Sequence, residues 1–379
     1  MTDHYTLYGM AASLYTGKVR AYMRRNHVPF REEKAGGEHF NTVVTKAVGR
    51  WIVPVIETPD GDYVQDGTDI LDHFERQGFS QTSLYPDDPK LSVIAHLFEL
   101  YGGEGMLRAA MHYRWNFDET NLDFLRVAFE DVLPDGLTAE ARDPVFLHAS
   151  GRMRKAAVAF GVTPETYETI ETTYGEFLSL FHTHLEARPY LFGGAPTLGD
   201  YGLFSPLYAH LARDPKPLHL MQTTAPRVFR WTERMNMPES FRDESVLKSG
   251  PDLFAFEAIP DTLKALMRFI AEDYLPEITA HIDFANEWLA EQDSPQLKPG
   301  ALGRGIGMAT FDWRGHSIRT AVMPYRFYLL QRLTDAFEAL DASDRAHIES
   351  LFEDTNLAPI LHLKTSRRVI RENHLEGWA

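Results

Sequence analysis

Strand-forming patterns in this chain are nearly confined to its first eighty residues, and helical periodicity dominates after Leu91. Such a switch calls for two cores of different architecture. The 379 residues suffice for two or three, at about 100–200 residues per domain. Tyr5–Met10 (YTLYGM) reads as a short strand. From Ser13, apolar side chains at Tyr15, Val19, Tyr22 and Met23 mark one helix face, which ends at His27 and Val28 before Pro29. Residues 29–35 (PFREEKA) read as a second strand, and residues 52–67 as a hairpin around the Pro59-Asp60-Gly61 turn. A helix over residues 68–78 turns Ile70, Leu71 and Phe74 inward and stops at Gly78. This order, β-α-β then β-β-α, describes a small α/β layer domain over residues 1–80.

Residues 79–90 are polar, hold two prolines and read as a linker. Helical periodicity then marks 91–115, 122–133, 164–188, 200–213 and 225–236, an all-α domain over 88–245. Thr197 is an N-cap candidate with Asp200 three residues on. The helix it opens is apolar nearly all round (Leu198, Tyr201, Leu203, Phe204, Leu207) and so should be buried. A Pro/Gly-bearing stretch leads to a helical extension over 250–379, with periodicity at 260–292, 324–341 and 343–375. Residues 308–313 and 316–322 alternate around Arg314-Gly315, which predicts a small β-hairpin near 308–322.

Composition excludes several kinds of chemistry. A net charge of −16 disfavours nucleic acid. The basic cluster Arg367, Arg368 and Arg371 reads as a solvated helix face. No apolar run approaches the ~18 residues of a membrane span, and residues 1–10 lack a signal-peptide pattern. The expectation is a cytoplasmic protein that binds no membrane. Cysteine is absent, which rules out disulfides, thiolate metal sites and a catalytic protein thiol. His182 and His184 point about 200° apart on a helix, and Glu277 and His281 share a face without a second pair, so no metal site is expected. The glycines of residues 303–307 (GRGIG) precede no helix and form no dinucleotide loop.

Four segments carry a resemblance. LYGMAASLYTGKVRAYM (residues 7–23), VPVIETPDG (53–61), QDGTDILDHFE (65–75) and RPYLFGGAPTLGDYGLFSPLYAHLARDP (188–215) stand in the order and spacing of the glutathione S-transferase superfamily. The resemblance covers about residues 5–240. It implies a thioredoxin-like N-terminal domain, an all-α C-terminal domain, a homodimer, glutathione as co-substrate and a small apolar electrophile. A non-catalytic glutathione-binding or protein-interaction member of the superfamily is the alternative.

The chemistry needs no cysteine. A free thiol has a pKa near 8.5, and lowering it by about two units takes about 2.7 kcal/mol. A helix N-terminus offers about 0.3–1 kcal/mol, up to about 2, and a hydrogen bond to the charged form about 1.5–3 kcal/mol. By resemblance Ser13 sits where serine-type members keep their thiol-activating hydroxyl. An ordinary helix cap is the other reading of Ser13, and Tyr8, Tyr15 and Thr16 are alternative hydroxyls nearby. The resemblance further implies a cis bond before Pro54, exposing the Val53 backbone to glutathione; an edge-strand proline is the other reading. Asp66, Gly67 and Thr68 occupy the helix start that holds the γ-glutamyl end. The family keeps a hydroxyl residue after the acid, and this chain has Gly67 there, with Thr68 one step later. That helix start also reads as a simple cap. Met10 and Tyr15 fall beside the substrate cleft by resemblance. Arg108, His112 and Trp115 share one helix face, read as a wall of that cleft or as an interdomain packing face.

Overall fold

The computed structural model describes residues 3–134, 136–237, 250, 252–293, 297–301 and 303–379. β1 (Tyr5–Gly9) turns through Met10–Ser13 into α1 (Leu14–Arg25), and β2 (Phe30–Lys34) returns parallel to β1. The turn demands a glycine at its start, because a Cβ on Gly9 would meet Thr16 Cγ2 at 2.2 Å. β3 (Val55–Glu57) and β4 (Tyr63–Gln65) complete a sheet of order β2-β1-β3-β4, with β3 antiparallel to both neighbours. Between β2 and β3 the chain passes through a π turn, Phe40–Val44, and a helical turn, Thr45–Ala47. Tyr8, Ala35, Phe40, Val44, Val48 and Val55 form a core there. α2 (Gly67–Arg76) lies against α1 and buries Ile70, Leu71 and Phe74, as its apolar spacing predicts.

The rest is mainly helical: α3 (Pro89–Leu100), a π turn (Tyr101–Gly105), α4 (Leu107–Trp115), α5 (Asp118–Ala128), α6 (Ala139–Ala159), α7 (Tyr167–His184), α8 (Leu198–Ala209), α9 (Pro215–Thr224) and α10 (Pro226–Asn236). After these come α11 (Asp261–Asp273), α12 (Leu275–Ala290), the hairpin β5 (Gly307–Trp313) and β6 (His316–Val322), α13 (Pro324–Glu338), α14 (Ala342–Asp354) and a second hairpin, β7 (Val369–Glu372) and β8 (Leu375–Trp378). Among the described residues no helix is long and apolar enough to cross a membrane. α6 and α9 escape the periodicity reading. α6 carries Pro144 and mixes polar and apolar residues on every side, and α9 opens directly on Pro215.

Two compact units emerge. One comprises Met1–Ser83, Ala110–Ala157 and Phe204–Arg242; the other comprises Leu84–Ala109, Val158–Leu203 and Asp243–Ala379. In the second unit α7 packs on α11, and α3 packs on α13 and α14. The residues after 250 therefore share a core with 84–109 and 158–203. Within this unit two glycines set a very close approach. A Cβ on Gly102 would lie 2.3 Å from Gly202 C, and one on Gly202 would lie 2.4 Å from Glu99 Cα. Asp200 works as its spacing predicts: its carboxylate accepts from Thr197 N–H at 2.9 Å and from Leu191 N–H at 2.9 Å.

The first hairpin forms as read. Arg314 (φ 43°) and Gly315 (φ 86°) make a two-residue turn with both φ values positive, the form that matches strand twist. Two helical readings need correction. The stretch 260–292 breaks at Tyr274 into α11 and α12. The stretch 343–375 ends at Asp354, where Asn356 takes a φ of 60°, and closes as the β7–β8 hairpin around Asn373-His374. Arg367, Arg368 and Arg371 are consequently not a helix face. Arg371 lies on β7 with its side chain buried, 3.3 Å from Glu376, and Arg368 pairs with Asp335 at 2.6 Å.

Candidate functional site

Strand register brings the N-terminal candidates to one end of the sheet. Tyr8 on β1 is opposite Val55 on β3, and Val55 is opposite Gln65 on β4. The Met10–Ser13 loop, the cis Val53–Pro54 bond and the Asp66 cap flank that row. The cis bond agrees with expectation. Two helix N-termini meet at this end. Ser13 caps α1, its Oγ accepting from Thr16 N–H at 3.3 Å. Asp66 caps α2, its Oδ1 accepting from Thr68 N–H at 2.9 Å and Asp69 N–H at 3.4 Å. Asp66 holds a φ of 94°, a conformation glycine favours and one that concentrates at functional positions. A Cβ on Gly67 would sit 3.8 Å from Tyr15 Cβ, so the two helix starts are in contact. The pair forms a dipolar corner suited to anions.

The hydroxyl candidates differ in their freedom. Tyr8 O–H donates to Glu57 Oε2 at 2.7 Å, and burial with that acceptor pushes its pKa upward, so it stays protonated. Thr16 is fully buried against Gly9. Ser13 and Tyr15 remain half-buried. Thr68 is buried, and its Oγ1 accepts from Lys18 Nζ at 3.2 Å.

Sequence reasoning missed the groups that hold the Met10–Ser13 loop. Arg114 on α4 donates to both oxygens of Asp214, Nε–H to Oδ2 at 2.7 Å and Nη2–H to Oδ1 at 2.8 Å. The same guanidinium donates to the Ala12 carbonyl and the Ala209 carbonyl, each at 2.7 Å. Arg213 donates to the Ala11 carbonyl, and Asp131 accepts from Ala11 N–H at 2.9 Å. The carbonyl preceding Ser13 is thus fixed by a buried ion pair. The signal was present as Arg213-Asp214 within the fourth quoted segment, but pairing with Arg114 spans a hundred residues.

The proposed cleft wall is buried. His112 is 1% exposed and its Nδ1 meets Asn116 Nδ2 at 2.8 Å. Trp115 is 2% exposed beneath the Arg154 guanidinium, 5.1 Å from its ring centroid. Met10 is buried too, its carbonyl accepting from Ser13 N–H at 3.2 Å. Arg108 belongs to the second unit, 4% exposed, and donates to Glu277 Oε2 at 2.6 Å.

Glu277 centres a buried network of charges. Arg326 donates to its Oε1 at 2.5 Å and to Glu104 Oε2 at 3.0 Å. Thr320 O–H donates to the same Oε1 at 3.1 Å, and His281 Nε2 lies 2.8 Å from Thr320 Oγ1. Arg326 Nη1 faces His281 Nδ1 at 3.2 Å. A guanidinium has no acceptor, so Nδ1 accepts and the imidazole proton sits on Nε2. Burial and then the Arg326 charge push His281 down to about 3, whereas Arg326 and Arg108 outweigh burial to hold Glu277 at about 2. Beside it the Arg108 guanidinium lies 4.4 Å over the Trp313 ring, and Trp313 Nε1–H and Tyr101 O–H each donate to Asp273 at 2.9 Å. A cavity of about 20 Å³ among these side chains has room for about one water. Within it Arg108 is engaged by Glu277 and by the Phe160 carbonyl, to which its Nε–H donates at 3.3 Å.

Comparison with known proteins follows this geometry. Residues 7–81 match the glutathione S-transferase N-terminal domain, and residues 149–239 match the glutathione S-transferase C-terminal domain. Among solved structures, a glutathione S-transferase of Methylobacterium radiotolerans, in complex with glutathione sulfonate, is 19% identical, covering 67% of this chain and 97% of its own, with a TM-score of 0.37. A beta-etherase of a Sphingobium species is 17% identical over 64% and 97%, with a TM-score of 0.45. A rice glutathione S-transferase in complex with glutathione is 15% identical over 66% and 94%, with a TM-score of 0.36. No curated protein matches the sequence.

Proposed function

The chain belongs to the glutathione S-transferase superfamily through these two matched domains, and on that premise we propose that it binds glutathione and uses the bound thiolate as a nucleophile. The observation that carries this reading is the meeting of two capped helix N-termini beside the cis Val53–Pro54 bond. In this reading the γ-glutamyl carboxylate lies at the start of α2, on the Gly67 N–H group, and Val53 pairs with the peptide. The thiolate lies at the start of α1, within the reach of Ser13 O–H and the α1 dipole. The thiolate attacks an electrophilic carbon of a small, largely apolar substrate. A carbon–sulfur bond forms, and the bond to the leaving group breaks with its electron pair. The reading includes a homodimer acting in the cytoplasm, and analytical ultracentrifugation reads the oligomeric state directly.

Ser13→Ala is expected to raise the pKa of the bound thiol by about one to two units and to cut kcat about 10–100-fold, the worth of one charge-assisted hydrogen bond. KM should change little. Thiolate absorbance of the glutathione complex and steady-state turnover of a haloaryl electrophile are the measurements. An unchanged thiol pKa would remove Ser13 from the mechanism.

Gly67 favours a second reading, a glutathione binder without turnover. Its missing hydroxyl can be restored without steric cost, since a Cβ there meets nothing closer than Lys18 Cδ at 3.7 Å. Gly67→Ser is expected to tighten glutathione binding about tenfold, through one hydrogen bond to the ligand carboxylate. Calorimetric titration checks this; an unchanged Kd would move the γ-glutamyl end away from α2.

A further inference from the structure

A cleft of about 460 Å³ opens beside the Ser13 loop, lined by Gly9 and Ala11. It lies within the size range of small-molecule sites, about 300–1,000 Å³. Its other walls are α1, β2 and the segments holding Asp131, Tyr208 and Arg213. The lining is charged, which is unusual for a site beside an apolar-acceptor chemistry.

Its carboxylates are all engaged. Glu32 is held by Arg20 (Nε–H to Oε2, 2.7 Å), Glu33 pairs with Arg31 at 3.1 Å, and Asp131 accepts from Ala11 N–H. Among the described residues two of its cations are not matched in this way. Arg24 donates to a neutral amide, Asn236 Oδ1, at 3.0 Å. Arg213 donates to the Ala11 carbonyl and stands 5.6 Å over the Phe124 ring. The Asp214 carboxylate, whose field reaches Arg213, is already taken at both oxygens by Arg114. Burial pushes the Arg213 guanidinium down, as for a desolvated cation lacking a full counter-charge.

The walls carry four cations, Arg20, Arg24, Lys34 and Arg213, against three carboxylates. This excess of cations suits an anion. The planar guanidinium fork matches a carboxylate. Tyr208, stacked on Phe204 at 4.7 Å, supplies an aromatic wall. We propose that this cleft binds an aryl monocarboxylate, and that the acceptor of the proposed transferase reaction carries such a group as its anchor. The acceptor part rests on the function proposed above; the carboxylate site does not.

The test titrates the full-length protein with benzoate, benzamide and inorganic phosphate, and separately with glutathione. Benzoate should bind about tenfold more tightly than benzamide, more tightly than phosphate, and more weakly as salt rises. Arg213→Gln and Arg24→Gln should each weaken benzoate about tenfold. Arg24 donates to Asn236 and not to the Ala11 carbonyl, so its variant remains informative if Arg213→Gln fails to fold. Equal binding of benzoate and benzamide, phosphate outcompeting benzoate, or indifference to Arg24→Gln would overturn the site. For the acceptor role, kcat/KM for a halonitrobenzoate should exceed that for its methyl ester about tenfold, and the ratio should fall toward one in Arg24→Gln. Benzoate binding without turnover of either electrophile would sink the transferase reading and the acceptor role, and leave the carboxylate site standing.

Discussion

Replacing Glu277 by glutamine should lower the free energy of unfolding by about 3–5 kcal/mol, the cost of breaking a buried ion pair from one side. Two guanidiniums, Arg108 and Arg326, would lose their shared carboxylate, leaving Arg326 with Glu104 and Arg108 with only the field of Asp273. Both arginines are at most 4% exposed, so water cannot take over. Glutamine keeps the shape and one acceptor oxygen, which makes the loss electrostatic. Urea unfolding followed by circular dichroism measures it; a loss under about 1 kcal/mol would mean that solvent reaches the network, as for surface pairs.

The pH dependence of the same network has a definite sign. Glu277 is held at about 2, below the ordinary glutamate value of about 4.3. Its stabilisation is complete above the unfolded value and is lost as pH falls through about 2. The buried histidines act higher on the scale. Burial holds His281 at about 3 and His184 at about 4, against about 6.5 when unfolded. Between those values the unfolded chain carries more protons, so stability falls as pH drops below about 6.5. Wild type should lose urea resistance steadily from pH ~6.5 downward. Glu277→Gln should start lower and lack the final loss approaching pH ~2. A wild-type midpoint that holds level from pH ~6.5 to ~4 would show that these histidines titrate normally.

Asp214→Ala is expected to have an effect of similar size, about 3–5 kcal/mol, with a separate consequence for the loop. Asp214 is fully buried, and removing it frees the Arg114 guanidinium that holds the Ala12 carbonyl. The double replacement Arg114→Met with Asp214→Leu separates the two roles. An apolar pair of similar volume recovers most of the stability but leaves the Ala12 carbonyl without its donor. Glutathione-dependent turnover should therefore stay low in the double variant while thermal unfolding returns toward wild type. If turnover returns together with stability, the ion pair holds the fold and does not position Ser13.

The α/β domain was legible because its signals are local. Alternation, a Pro-Asp-Gly turn and two cap residues each act within a few positions, and β1 to β4 and α1 follow them. The hairpin at Gly307–Val322 was legible for the same reason, through Arg314-Gly315. Its counterpart at Val369–Trp378 was not. Asn373 and His374 make its turn with φ values of 48° and 68°, and no glycine announces them. Asn356, at a φ of 60°, was the overlooked helix stop.

The site was half legible. Ser13, Pro54 and Asp66 stand on short motifs, and the register gathers them. Arg108, His112 and Trp115 illustrate the limit. Spacing shows that side chains share a face, but not what covers it. Arg108 is covered by Glu277, 169 positions further along. Arg114 and Asp214 were passed over because a buried pair between distant segments leaves no periodic trace.

The Glu104–Arg326 pair has a consequence for the order of events at the ribosome. Its two ends are 222 residues apart in sequence. At about 5–20 residues per second, Glu104 is synthesised about 10–45 s before its partner exists. Throughout that interval Glu104 lacks the counter-charge that permits its burial, and Arg108 waits for Glu277 through most of it. The four-stranded sheet, complete by Gln65, has its strands in hand early. The second unit can close only after α13 has left the exit tunnel. A nascent chain arrested before Arg326 should thus bind chaperones that hold exposed helices, and one released past Glu338 should not.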